Sequence, residues 1–416
     1  MSGVLGLPGP LGSGSALRVM GPDFPGRVQF SRASTALAQD ASGAFQPLAA
    51  NLPRFHGVAR RLLVEEARAN GIRNPAGEGI SGGSTPTYWN IQNTPELTFT
   101  FSDAGMVDGI GCVRVRISGT ATKTGTAIVN FDANTAVPAA PNQSWAASLY
   151  IRRVASAATL GPGGIRLIAR TSAGSLAAAA ESPTNSVPIT DRLARVEHVR
   201  ALGMDSSIAA IQSGLSFSAT AGQFYDETFD IGLPQLELGT CVTTPIRPAA
   251  GSLVSSSRAA DLAAWSPAGG FGGEGSVVLQ AMLPYAASFS ASQGLMQIDD
   301  GTDQNRLLIR NTSGGGGIYG VVDGGGTTRA SLLGGSMVPG VPFRVAFAWA
   351  PGDQAISLGG GAVQSATAAL PSGLARMLIG HGSAALNRAA NGEIGLLDYR
   401  PQRLPNAMLQ ALSAAA

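Results

Sequence analysis

Three carboxylates fall within five residues at Asp299-Asp300-Gly301-Thr302-Asp303, with Gln304 and Asn305 immediately after and Tyr319 further along. Oxygen ligands this close can hold Ca²⁺, which prefers carboxylates and carbonyls. The spacing does not follow the helix-loop-helix calcium pattern, and a solvated hairpin turn uses the same residue types. With an aromatic ring nearby, the set also has what a sugar needs: an apolar ring face to stack on and donors and acceptors for hydroxyls. Asp299, Asp300, Asp303, Asn305 and Tyr319 are therefore the candidate glycan-binding residues, weighed against ordinary polar turn chemistry.

The other reactive side chains are dispersed. His56, His198 and His381 are too few and too far apart for a metal cluster of recognisable spacing, so each is expected at the surface or satisfied in place. A glycosidase needs two carboxylates facing across one bond. Glu65 and Glu66 are neighbours and would point to opposite sides of a strand; solvation, or pairing with Arg60 and Arg68, is the expected role. Glu237 lies in Gln235-Leu236-Glu237, without a partner acid in the sequence. The glycine-rich stretches lack the strand-Gly-x-x-x-x-Gly-Lys-helix context of a phosphate loop, and Lys123 is the sole lysine. No catalytic residue, metal or cofactor is expected.

Other aromatics compete with Tyr319 as sugar platforms: Tyr88, Trp89, Trp145, Tyr150, Tyr225, Trp265, Tyr285 and Trp349. Alternation puts Tyr150 and Trp349 on core-facing positions, and Tyr88-Trp89 is expected to pack as well. A net charge of +2 gives no electrostatic footprint for nucleic acid. Cys112 and Cys241 are too few for a disulfide framework and are expected to be buried free thiols. No run of about 18 apolar residues exists to span a membrane, and the first residues lack the positive region of a signal peptide.

The elements that would position these residues are short strands. Gly 56 and Pro 25 in 416 residues punctuate the chain, and 44% hydrophobic content can fill cores. Cys112-Val113-Arg114-Val115-Arg116-Ile117 alternates, as does Phe343-Arg344-Val345-Ala346-Phe347-Ala348-Trp349. Segments at 145–151, 165–168, 229–231, 277–282 and 306–309 read as further strands, with hairpin tips at 314–317 and 324–326. Residues 406–415 read as one short helix after Pro405. By local propensity alone residues 54–70 are helical. The pattern predicts an all-β chain: an extended N-terminal arm followed by two jelly-roll-type β-sandwiches.

Two phrases carry a family resemblance. The first runs from Phe30-Ser31-Arg32-Ala33-Ser34-Thr35 to Leu62 through Asn70. The second runs from Gly232-Leu233-Pro234-Gln235-Leu236-Glu237-Leu238-Gly239-Thr240 to Ser257-Arg258-Ala259-Ala260-Asp261. Together they resemble a modular layout in structural proteins of tailed phages and phage-like gene-transfer particles, in which an attachment segment precedes carbohydrate-binding-type sandwiches. Phe343 to Trp349, Ile356 to Gly360 and Gly392 to Tyr399 resemble concanavalin-like or laminin-G-like sandwiches. The resemblance implies an attachment leader over 1–75, a carbohydrate-binding-module-like sandwich over 76–262 and a concanavalin/laminin-G-like one over 263–416. It makes 62–64 extended rather than helical, and places Gln235 to Glu237 in a closing strand. It also implies a spike or fibre, without catalysis, on the surface of a particle made in the bacterial cytoplasm and released by lysis; the alternatives are a purely structural fibre base or decoration protein, or a polysaccharide-degrading tailspike enzyme. Its partners would be a capsid, tail or spike-base protein and host surface polysaccharide, in a homo-oligomer, a trimer or alternatively a pentamer. Nucleic acid and membrane insertion are not expected.

Overall fold

The computed structural model describes residues 17–20, 27–177, 185–186, 188–288, 291–312 and 314–414. Every strand pair is antiparallel, and the one helix among the described residues is Asn406–Ala414. The chain is all-β. No helix of the described residues is long and apolar enough to cross a membrane.

Two units are interleaved along the sequence. One comprises residues 32–52 and 67–260. Its five-stranded sheet contains Ile110–Thr120, Ser144–Ala158 and Phe224–Leu238; its six-stranded sheet contains Gly125–Asn130, Gly164–Arg170 and Ala210–Ala219. The alternating Val113, Val115 and Ile117 point into the space between them, because a pleated strand turns every second side chain to one face. Phe217 and Phe229, from opposite sheets, stack at 4.8 Å between ring centroids. A hairpin of Ala36–Gln39 and Phe45–Leu48 buries Leu37 and Phe45 against Cys112, Tyr150 and Leu233 on the outside of the five-stranded sheet.

The other unit comprises the described residues up to 31, then 53–66 and 261–416. At the middle of its eight-stranded sheet lies Gly392–Arg400. One edge of that strand pairs with Gly275–Met282; the other is shared by Arg61–Val64 and Leu17–Met20. The described part of the leader is thus built into a sandwich, with Leu17 and Val19 in its core. Residues 1–16 and 21–26, on which the rest of the expected arm falls, lie outside the described residues. The seven-stranded sheet opposite runs through Arg376–Ile379, Ser292–Asp299, Arg306–Thr312, Gly317–Gly324 and Thr327–Ser336. Phe343, Val345, Phe347 and Trp349, the predicted single face, all enter the shared core. The terminal helix caps the outside of the eight-stranded sheet, where Leu409 packs with Val278, Ala346 and Ala355.

Residues 54–70 are not helical. They form Arg54–His56, Arg61–Val64 and Arg68–Asn70, the last paired with Ser256–Arg258. Edge pairing in two sheets overrides the helix propensity of Ala, Leu, Glu and Arg, as tertiary context often does. Within the leader expected over 1–75, residues 36–48 fall in one unit, while Leu17–Met20, Gln29–Ser31 and residues 54–64 fall in the other.

Candidate functional site

The acidic turn closes the hairpin between Ser292–Asp299 and Arg306–Thr312, and each of its carboxylates is engaged by the protein itself. Asp299, fully buried, accepts from Arg376 Nε at 3.0 Å, from the Gly301 amide at 2.8 Å and from Gln297 Nε2 at 2.8 Å. Asp300 accepts from the Thr302 amide and hydroxyl and from Asn305 Nδ2 at 2.8 Å. The Thr302 and Asn305 donors hold its carboxyl below the usual carboxylate range. Asn305 Oδ1 in turn accepts the Gly325 amide at 3.0 Å, tying this turn to the next hairpin tip, where Gly325 and Gly326 both take positive φ. Asp303 accepts from the Ala384 amide at 2.7 Å, Ser383 Oγ at 2.8 Å and Gln297 Nε2 at 3.0 Å. Burial pushes its carboxyl up, but these donors and Arg306 outweigh that and hold it low. No group of three or more His, Cys, Asp or Glu converges for a metal ion among the described residues. The acids of this turn brace the sheet.

Next to this bracing lies a different surface. In the seven-stranded sheet Leu307, Ile309, Ile318 and Val322 face the core, so Arg306, Arg310, Tyr319 and Asp323 face outward. Arg306 is committed: its Nε donates to Asp323 at 2.7 Å and its Nη1 to the Gly382 carbonyl at 3.2 Å. Asp323 is filled by Arg306 and by Thr328 Oγ1 at 2.7 Å. Arg310 stands opposite Tyr319 across the strand pair and has no hydrogen-bond or ion-pair partner among the described residues, although its Nε is buried. Burial and the nearby Arg306 and Arg388 charges depress its pKa, against Asp323 and Tyr319.

Two glycines shape this face. A Cβ on Gly317 would come within 2.9 Å of Tyr319 Cε2 and 3.4 Å of Leu333 Cδ1, so its absence leaves room for the tyrosine ring on the sheet beside the half-exposed Leu333. A Cβ on Gly294 would lie 1.9 Å from the Gly382 amide nitrogen: the segment after Ile379 crosses the sheet in backbone contact there. The Gly294 amide donates to the Arg388 carbonyl at 3.1 Å, and Gly294 is the strand partner of Arg310. The crossing thereby delivers exposed Arg388 beside Arg310. The result is a partly exposed aromatic ring, an apolar rim and two guanidiniums that, among the described residues, form no ion pair.

The remaining sequence candidates are structural. Glu65 is buried and paired with Arg54 at 2.7 Å; Asp261, also buried, completes the triad with Arg54 and accepts the Glu65 amide at 3.0 Å. The strand Arg61–Val64 carries Glu65 into the sandwich, within reach of Arg54. Glu66 accepts from Asn391 Nδ2 at 3.1 Å. Glu237 accepts the Thr243 amide and hydroxyl. Within the strand Ala194–Ala201, His198 is half-buried. His381 is a core residue whose Nε2–H meets the Asp261 carbonyl; burial lowers its pKa, so the ring stays neutral. Both cysteines are free and buried, and burial with the Asp230 charge pushes the Cys112 thiol up to about 12. Trp89, Trp145, Trp265 and Trp349 are all buried, and the Arg73 guanidinium sits 3.8 Å over the Tyr88 ring.

Of the candidates, then, Asp299, Asp300, Asp303 and Asn305 form the scaffold, and Tyr319 lies on the open face. Arg310 and Arg388 escaped sequence reading. Arg310 sits in a run that reads as apolar, and Arg388 in a loop; the signal available was that 306, 308 and 310 must share one face of a strand.

No protein-family model matches the sequence, and no curated protein matches it. Solved structures overlap it in part. The CBM40 module of the Ruminococcus gnavus IT-sialidase bound to α2,3-sialyllactose is 15% identical over 34% of this chain and 82% of that one, at a TM-score of 0.29. The CBM22-1 xylan-binding domain of Paenibacillus barcinonensis Xyn10C is 12% identical over 42% and 94%, at 0.27. Domains LG4-5 of the mouse laminin α1 chain are 11% identical over 64% and 84%, at 0.24. These neighbours are carbohydrate-binding modules and a laminin G-like pair. Overlaps this partial transfer neither a ligand nor a residue role.

Proposed function

We propose that this chain is a non-catalytic adhesive component, a spike or fibre, displayed on a tailed phage or phage-like gene-transfer particle and binding host surface polysaccharide through the outer face of its seven-stranded sheet. The observation that carries the binding reading is the partly exposed Tyr319 ring, seated over Gly317 and flanked by the unpaired Arg310. Sugars present an apolar ring face and hydroxyls, which is what such a platform with adjacent donors accommodates. Binding rather than hydrolysis is favoured because the buried acids already serve fixed cations: Glu65 with Arg54, Asp299 with Arg376, Glu227 with Arg153, and Asp230 with Arg114 and Arg152.

The particle setting rests on the resemblance of the two phrases described above, and with it the partners: a capsid, tail or spike-base protein engaged by the N-terminal segment, and self-association into a trimer or pentamer. Repeated weak sugar sites gain avidity in such an assembly, since the second contact is effectively intramolecular.

The test is an array of bacterial capsular and lipopolysaccharide glycans probed with the full chain and with Tyr319→Ala. Binding of the parent, weakened at least about tenfold in the variant with unchanged circular dichroism, is expected from the loss of ring stacking. Parent binding undiminished in the variant would move the site off this face; no binding to any surface glycan would overturn adhesion. Particle attachment is tested by removing residues 1–16, which leaves core Leu17 in place. Incorporation into particles should then fail, and unchanged incorporation would refute the anchor.

A further inference from the structure

Two arginines of the open face, Arg310 and Arg388, form no ion pair among the described residues, and this specifies more than a sugar. A half-buried guanidinium with no acceptor is unfavourable, and a second arginine brought next to it adds like-charge repulsion. Among the described residues no carboxylate forms an ion pair with Arg310, and Asp323 relieves it only at a distance. Asp299 is taken by Arg376, Asp303 and Asp323 by Arg306, and Asp300 by Thr302 and Asn305. The crossing at Gly294 and Gly382 holds Arg388 in place with backbone bonds on both sides, the Arg388 carbonyl accepting from the Gly294 and Gly382 amides at 3.1 and 3.0 Å. The Arg388 backbone is thus fixed beside Gly294, the strand partner of Arg310. An arrangement of this kind is completed by an anion.

We propose that the ligand of this face is an acidic polysaccharide, whose sugar carboxylate is received by Arg310 with Arg388 at the rim while the ring bearing it rests on Tyr319. The proposal rests on the reading of this face as glycan-binding. A planar guanidinium matches a carboxylate with two parallel hydrogen bonds, stronger than neutral ones. Arg310 and Tyr319 are direct cross-strand neighbours, and such pairs have Cβ atoms about 5 Å apart. One sugar residue with its carboxyl on the ring spans both. The depressed pKa of Arg310, caused first by its burial, is the mark of a cation lacking its counter-charge, and a bound carboxylate would reverse it.

The experiment uses the full chain and immobilised polygalacturonate, hyaluronan and polysialic acid, each beside its carboxyl-reduced form, with dextran and dextran sulfate as neutral and sulfated controls. The expected result is binding to at least one carboxylated polymer and loss of at least about tenfold on its reduction. Arg310→Gln should reproduce that loss on the acidic polymer and have a much smaller effect on the reduced one. Arg388→Gln, at an exposed position, should give a smaller loss that vanishes at high salt. Equal binding to native and reduced polymer, with Tyr319→Ala still abolishing both, would overturn the acidic ligand and leave the glycan reading standing. Preference for dextran sulfate would overturn the carboxylate. Failure to bind any polymer would overturn both readings.

Discussion

Replacing Asp261 by alanine probes what holds the interleaved segments of the sandwich containing 53–66 and 261–416 together. Arg54 and Asp261 are fully buried and Glu65 is 4% exposed, so water does not screen the triad. The substitution deletes one charge-assisted bond to Arg54, worth about 1.5–3 kcal/mol, and strands the Glu65 amide, a further cost of about 1–3 kcal/mol. Glu65 still pairs with Arg54, which places the expected loss near the lower end of the usual range for a broken buried pair, about 3 kcal/mol. In a unit of this size that lowers Tm by roughly 6–12 °C. Asp261→Asn keeps an oxygen for the Glu65 amide, so its expected loss is about half as large. Hydrogen exchange of peptides covering Arg61–Val64 and Gly392–Arg400, followed through urea, reads the effect where the two strands pair. Protection within about 1 kcal/mol of the parent in Asp261→Ala would refute the triad as a stabilising element.

Other expectations follow from named contacts. Gly294→Ala drives a methyl into the Gly382 backbone, so it should cost about 1–3 kcal/mol and also weaken acidic-polymer binding by displacing Arg388; normal Tm with normal binding would contradict the crossing. Burial pushes the Asp230 carboxyl up, but Arg114 and Arg152 hold it below its ordinary 3.8, so its stabilisation is present above that value and lost as pH falls through the lower folded value. Asp230→Asn should therefore reduce stability at pH 7 and flatten its decline below about pH 4 in acid-unfolding curves; an unchanged slope would count against the pair. Cys112, buried and with its thiol raised to about 12, should resist Ellman's reagent at pH 8 until the chain unfolds, and rapid native labelling would contradict its burial.

Much of the scaffold was legible locally. Alternation over 112–117 and 343–349 identified core faces, since period two is a property of any pleated strand, and paired glycines identified the 325–326 turn. Propensity alone points 54–70 to helix while the family resemblance makes 62–64 extended, and the strand outcome is set by pairing with distant segments, 392–394 and Ser256–Arg258. The acidic turn was legible as a turn, but its role was not: the cations and amides that occupy Asp299 and Asp303 come from Arg376 and Ala384. Arg310 could not be assigned from its own segment. Its meaning depends on hairpin register with Tyr319 and on a loop that crosses at Gly294, and neither is encoded within one window of sequence.

The most direct measurement is a hydrogen-exchange footprint of the full chain with and without a bound acidic polysaccharide. The account predicts added protection confined to peptides covering Arg306–Thr312, Gly317–Gly324 and residues 381–390, with none in the sandwich formed by residues 67–260. Protection centred on that other sandwich, or on the 299–305 turn alone with Tyr319 unaffected, would contradict it.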